Sequence, residues 1–105
     1  MTKTIRSLLA LAAVVFLAGA LGFAQSAGEA TYKAKCQTCH GPTGTPSAGM
    51  AKMMGIKPVS DPDIKKLTAD QMAAAVKNGK GKMKPIAGLT DAQIKDVVAF
   101  YRSLK

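Results

Sequence analysis

Five consecutive residues, Cys36-Gln37-Thr38-Cys39-His40, hold both cysteines and the one histidine of the chain, and no other feature restricts its folding so tightly. A disulfide between thiols three positions apart closes a tiny loop, so it would restrict the unfolded chain very little. It would also leave the adjoining histidine without a role. A structural zinc site needs four ligands, typically Cys and His, and these two cysteines and one histidine are too few. A thioredoxin-like redox pair sits at a helix N-terminus in a βαβ setting, which demands a sheet.

The 105 residues allow one domain, and their first part reads as a leader. Met1 to Arg6 is short and basic, Leu8 to Ala18 is an unbroken apolar run, and Gly19, Gly22, Ala24, Ser26 and Ala27 supply small residues for a cleavage region. That order is the signature of a secretory signal peptide, whose apolar part runs about 7–15 residues. Residues 1–24 are therefore read as the signal, with the cut near Ala24, and residues 25–105 as the domain. Retention as a membrane anchor is the competing reading, because Ser7 to Gly28 carries no charge and a span needs about 20 apolar residues. The two glycines and the small-residue exit favour cleavage, and the product is expected to be periplasmic or otherwise exported.

Loss of Lys3 and Arg6 leaves 13 of the 15 basic residues against six acidic ones, a net charge of +7. Such a charge suits nucleic acid, an anionic membrane or an acidic protein. Export argues against nucleic acid, and no aromatics interleave with the lysines as stacking on single strands requires. An acidic protein surface is the expected partner, with membrane contact only where the leader is retained, and the protein itself is expected to be a monomer. About 80 residues with few aromatics and no Trp make a marginal apolar core, and domains of that size usually need a staple. Something other than side chains must fill the middle.

Helical signals account for most of the mature chain. Ala27 to Lys35 has a mild helical pattern, with Gly28 and Tyr32 on one face. His40 to Gly49 is rich in Gly, Pro, Ser and Thr and reads as loop; Met50 to Met54 reads as a helical turn. Asp61 followed by Pro62 starts another short turn through Lys66. Leu67-Thr68-Ala69-Asp70-Gln71 and Leu89-Thr90-Asp91-Ala92-Gln93 repeat one design, in which Thr caps a helix and Gln reaches back to the cap's N–H. Leu67 and Leu89 then staple onto Met72 and Ile94. These caps predict helices from Ala69, ending at Asn78-Gly79, and from Asp91, with Ile94, Val97, Val98 and Tyr101 as its apolar face. No alternating apolar runs suggest a sheet, and short helices alone are marginal in water.

Cys-x-x-Cys-His is the attachment sequence of c-type haem. On a helical turn Cys36 and Cys39 face the same way, so both thiols can add to the two haem vinyl groups, and His40 follows directly to reach the iron. The missing interior is then the haem itself, one covalently attached haem c (heme c). A second axial ligand must be another residue type, since no second His exists. Met with His is the ligand pair of cytochromes c, and the thioether raises the potential. Of the six methionines, Met1 is in the leader, Met72 lies at a core-facing helical position, and Met50, Met53 and Met54 come soon after His40. Met83 sits in the flexible loop Asn78 to Pro85, far enough along the chain to return on the opposite haem face.

Tyr32-Lys33-Ala34-Lys35-Cys36-Gln37-Thr38-Cys39-His40-Gly41, Asn78-Gly79-Lys80-Gly81-Lys82-Met83 and Val97 to Leu104 are motifs by which the chain resembles the class I, bacterial monohaem cytochromes c, from about Ala27 to Lys105. The resemblance implies an all-α cytochrome c fold, three main helices plus short turns wrapped around one covalently bound haem. It implies a crossing of the first and last helices, with Gly28 and Tyr32 against Val97 and Phe100. It also implies Met83 as the distal ligand, ahead of Met50, Met53 and Met54. A proline carbonyl holds the proximal imidazole in the family; Pro42, Pro46 and Pro58 are the candidates here.

With both axial positions filled, the expected activity is outer-sphere exchange of single electrons, not catalysis. Leu67, Met72, Val76, Ile86 and Val98 are expected to exclude water from the haem pocket. Lys80, Lys82 and Lys84 bracket Met83 and can steer an acidic oxidase, reductase or dehydrogenase into a brief encounter. The alternative is a gas-binding or peroxide-reacting haem protein with a labile sixth ligand.

Overall fold

Capping side chains set where the principal helices begin. The Gln71 N–H donates to Thr68 Oγ1 at 3.1 Å, and the Thr68 N–H donates to Gln71 Oε1 at 2.9 Å. Thr90 and Gln93 repeat the exchange at 3.1 and 2.8 Å. Two otherwise orphaned N–H groups are satisfied at each helix start, and the helices run over Ala69–Asn78 and Asp91–Ser103, starting where their caps predict.

The computed structural model describes residues 26–105; the expected leader and its cut near Ala24 lie outside the described residues. Six helical segments follow in order: α1 (residues 26–35), α2 (Gln37–His40), α3 (Ala48–Met54), α4 (Pro62–Lys65), α5 (Ala69–Asn78) and α6 (Asp91–Ser103). Among the described residues there is no strand, only a single antiparallel bridge between Lys80 and Met83. None of the described helices is long and apolar enough to cross a membrane. The all-α arrangement expected from the sequence is the one observed.

Two boundaries differ from expectation. The loop after His40 is shorter, because Ser47 accepts a bond from the Met50 N–H at 3.2 Å and caps α3, making Ala48 and Gly49 helical. In a Gly- and Pro-rich run the same serine reads as a turn residue by composition and as a cap by position. At α4, Asp61 accepts from the Asp63 N–H at 2.8 Å and Pro62 takes the first helical position, but Lys66 is the C-cap and not a helical residue.

The apolar interior has two parts. Met72 and Val76 of α5 pack with Ile94 and Val98 of α6, and Leu67 and Leu89 close against that cluster as the expected staples. The second part is where α1 meets α6. A Cβ at Gly28 would run into the Asp96 carbonyl oxygen and lie 2.9 Å from Phe100 Cβ, so only glycine lets the two backbones approach this closely. Beside it Tyr32, 1% exposed, sets its ring 5.3 Å from Phe100 and 6.2 Å from Tyr101. The packing of Gly28 and Tyr32 on Phe100 follows the expectation, and Val97 is buried on the same helix.

Candidate cofactor site

The Cys36 N–H donates to the Tyr32 carbonyl at 2.9 Å, and the His40 N–H donates to the Cys36 carbonyl at 3.0 Å. These bonds carry the chain from α1 into the single turn of α2 and place the whole cysteine–histidine motif on it. The turn stops at Gly41, where φ is +81° and a Cβ would clash with the Thr45 carbonyl. Both cysteines are half-buried and not bridged to each other. Burial, and then the neighbouring Cys39, push the Cys36 thiol pKa up, which keeps it protonated in the bare polypeptide.

His40 stands edge-on to Tyr101, with ring centroids 5.6 Å apart and planes at 68°. Burial lowers its pKa, favouring the neutral imidazole that metals require. Its Nδ1 is buried and has no hydrogen-bond partner, so none of Pro42, Pro46 or Pro58 holds the ring through its carbonyl here. A buried polar atom left unpaired costs about 1–3 kcal/mol, and such an orphan needs an explanation.

Met83 lies half-buried against the Met72, Val76, Ile94 and Val98 cluster. Gly79 ends α5 by donating to the Ala75 carbonyl at 2.9 Å, and its φ of +81° turns the chain into the Met83 loop. All five residues expected to line an apolar pocket, Leu67, Met72, Val76, Ile86 and Val98, belong to this cluster or pack on it. Met72 is 9% exposed within it, matching the core role read from its spacing. The other candidates differ: Met53 is 61% exposed, while Met50 and Met54 are half-buried on α3. Tyr101 packs on the same cluster and touches His40, which links the two ends of the site. Sequence reading placed Tyr101 only on an apolar helix face; nothing local marks its contact with His40.

Lys80, Lys82 and Lys84 are exposed around Met83. An open groove of about 300 Å³ runs along the outside of α5, lined by Leu67, Gln71, Ala74, Asn78, Gly79 and Lys80. It includes neither cysteine, His40 nor Met83, and its opening to solvent makes it a surface feature apart from the site.

Haem c fits this donor set. Two free cysteines sit on one turn, an imidazole whose burial favours the neutral form follows them, and a soft thioether rests on an apolar cluster. Among the described residues no three His, Cys, Asp or Glu side chains are placed to share a bare metal ion.

Comparison with known proteins agrees. Residues 23–100 match the family described as cytochrome c oxidase, cbb3-type, subunit III. Cytochrome c-555 of Chlorobaculum tepidum is 32% identical, over 95% of this chain and 94% of its own. The solved structure of the KustC0563 c-type cytochrome superposes with a TM-score of 0.66 at 26% identity, covering 74% of this chain and 96% of that one. An all-α fold of this kind with a Cys-x-x-Cys-His turn defines a class I, monohaem c-type cytochrome. The chain belongs to the cytochrome c family through its cbb3-type subunit III domain, and it carries covalently bound haem c with its iron.

Proposed function

We propose that this chain is an exported one-electron carrier in which Cys36 and Cys39 hold the haem as thioethers while His40 and Met83 are the axial ligands. What supports the reading most is the single turn of α2, which sets Cys36, Cys39 and the half-buried His40 side by side within a cytochrome c domain matched over residues 23–100. The bound haem supplies a one-electron iron couple. Cys36 and Cys39, fixed on α2, would hold it through thioether bonds, and His40 would ligate its iron. Met83 would be the second ligand, and its thioether would favour the reduced state. The apolar cluster beneath Met83 keeps water away, which raises the potential further.

With both axial positions taken by the chain's own side chains, no substrate reaches the iron, so the protein is read as a carrier and not an enzyme. Exposed lysines around the Met83 loop steer an acidic redox partner by long-range attraction, which speeds association more than it tightens binding. Among an oxidase, a reductase and a dehydrogenase as candidate partners, the family's description as an oxidase subunit favours a terminal oxidase.

Intact mass and visible spectra of the matured protein test this reading. One haem's added mass, c-type bands on reduction, a weak far-red band on oxidation and no reaction with CO are expected. Rapid CO binding to the reduced form, with the far-red band absent, would establish a gas-binding or peroxide-reacting protein instead.

A further inference from the structure

The Met83 loop is closed on itself, on α5, and once on a distant part of the chain. The Lys80 N–H donates to the Met83 carbonyl and the Met83 N–H to the Lys80 carbonyl, each at 3.0 Å, so Gly81 and Lys82 form the tip. The Ile86 N–H donates to the Val76 carbonyl at 2.9 Å, tying the loop's exit to α5. Gly79 fits beneath the loop, where a Cβ would lie 2.8 Å from the Met83 carbonyl oxygen and 2.9 Å from Pro85 Cδ. Lys82 Nζ reaches elsewhere, donating to the Met53 carbonyl at 2.9 Å. Among the described residues no other hydrogen bond joins this loop to the segment that follows His40.

The acceptor suits a cation. Met53 is in the last turn of α3, whose final carbonyls have no intrahelical partners, and a positive charge at a helix C-terminus is favoured by the helix dipole. Gly55 then turns the chain away with φ +66°. Lys80 and Lys84, the neighbouring lysines, make no such bond among the described residues. Three lysines that look alike in sequence therefore differ in what they touch.

We propose that Lys82 is a positioning residue that clasps the Met83 loop to α3 and so holds the thioether on the iron. The role at the iron rests on Met83 being the axial ligand. Loops open locally at a free energy set by the contacts they must break, and an external ligand reaches the iron in proportion to the open population. Removing the clasp raises that population.

The test uses the haem-loaded full protein in its oxidised form, titrated with imidazole and followed by its visible spectrum. Lys82→Ala is expected to take up imidazole roughly three- to tenfold faster than the unaltered protein, the effect of losing one charge-assisted but exposed bond. Lys84→Ala removes the same charge from the same loop and serves as the matched control; its uptake should follow the unaltered protein. Lys82→Arg, which keeps a donor in reach, should restore slow uptake. Amide exchange at Ile86, whose N–H ties the loop's exit to Val76 of α5, should quicken in Lys82→Ala alone. Equal uptake and equal exchange in Lys82→Ala and Lys84→Ala would overturn the clasp. Met83→Ala separates the two ideas. If it abolishes the far-red band while Lys82→Ala matches Lys84→Ala, the clasp fails and the ligand stands; if the band and the uptake survive Met83→Ala, the ligand assignment fails and takes the clasp's role with it.

Discussion

The Tyr32 hydroxyl donates a buried 2.6 Å hydrogen bond to the Gly41 carbonyl, tying α1 to the residue directly after His40. Tyr32→Phe keeps the ring contacts with Phe100 and Tyr101 but removes the shorter of two donors to the Gly41 carbonyl, leaving the Gly44 N–H at 3.4 Å. A destabilisation of about 0.5–1.5 kcal/mol is expected, read from urea denaturation of the haem-loaded protein. An unchanged midpoint would mean that the bond contributes nothing.

The same phenol predicts an alkaline limb in stability. Burial first, and then the charge of Tyr101, pushes the Tyr32 pKa up to about 12, above the value of about 10 for an unfolded tyrosine. The smaller push from Cys36 disappears once that sulfur is a haem thioether. The folded state therefore holds this proton more tightly than the unfolded chain does. Its contribution is intact below pH about 10 and is lost as the pH rises to about 12. Between those limits the unaltered protein should lose on the order of 2 kcal/mol more than Tyr32→Phe. Tyr101, also raised by burial, titrates in both proteins, so the comparison removes its contribution apart from its coupling to Tyr32. Parallel denaturation curves against pH would refute the assignment.

At the α1–α6 meeting, Gly28→Ala should be far costlier than the added methyl suggests. Its Cβ meets the Asp96 backbone and Phe100 Cβ, neither of which can rotate aside, so α1 must move. Overpacking of this kind costs about 1–3 kcal/mol. Gly49→Ala is the contrast, since nothing lies within 4 Å of its Cβ position and alanine favours a helix by about 1 kcal/mol. Thermal melts of the two variants should move in opposite directions.

Charge reversal at Lys80 or Lys84 should slow electron transfer to an acidic partner several-fold at low salt. The deficit should shrink as ionic strength rises past about 0.15 M, where the screening length falls to about 8 Å. Stopped-flow rates across a salt series give the measurement; a deficit independent of salt would place the effect at the contact and not in steering.

Local chemistry was legible in the sequence and distant geometry was not. Thr68 with Gln71 and Thr90 with Gln93 declare helix starts because every atom involved lies within one turn. Cys36, Cys39 and His40 declare the cofactor for the same reason. Ser47 went unread because its cap is hidden in a segment whose prolines and glycines signal loop. The edge of Tyr101 against His40, and the reach of Lys82 to Met53, depend on how α6 and α3 come to rest, which no spacing encodes. Pro42, Pro46 and Pro58 could not be told apart as partners of His40 for the same reason, since the direction of a carbonyl is a matter of backbone dihedrals and not of residue count.

Gly28 and Asp96 stand near opposite ends of the described chain, and their close approach makes a hoop of everything between them. A hoop fastened at its ends keeps its outline while one stretch of its rim gives way. The segment from Gly79 to Ile86 is one stretch of that rim, tied to α5 through the Ile86 N–H and to α3 through Lys82, and neither bond involves the α1–α6 contact. A substitution at Lys82 is therefore expected to leave the fastening of α1 to α6 intact.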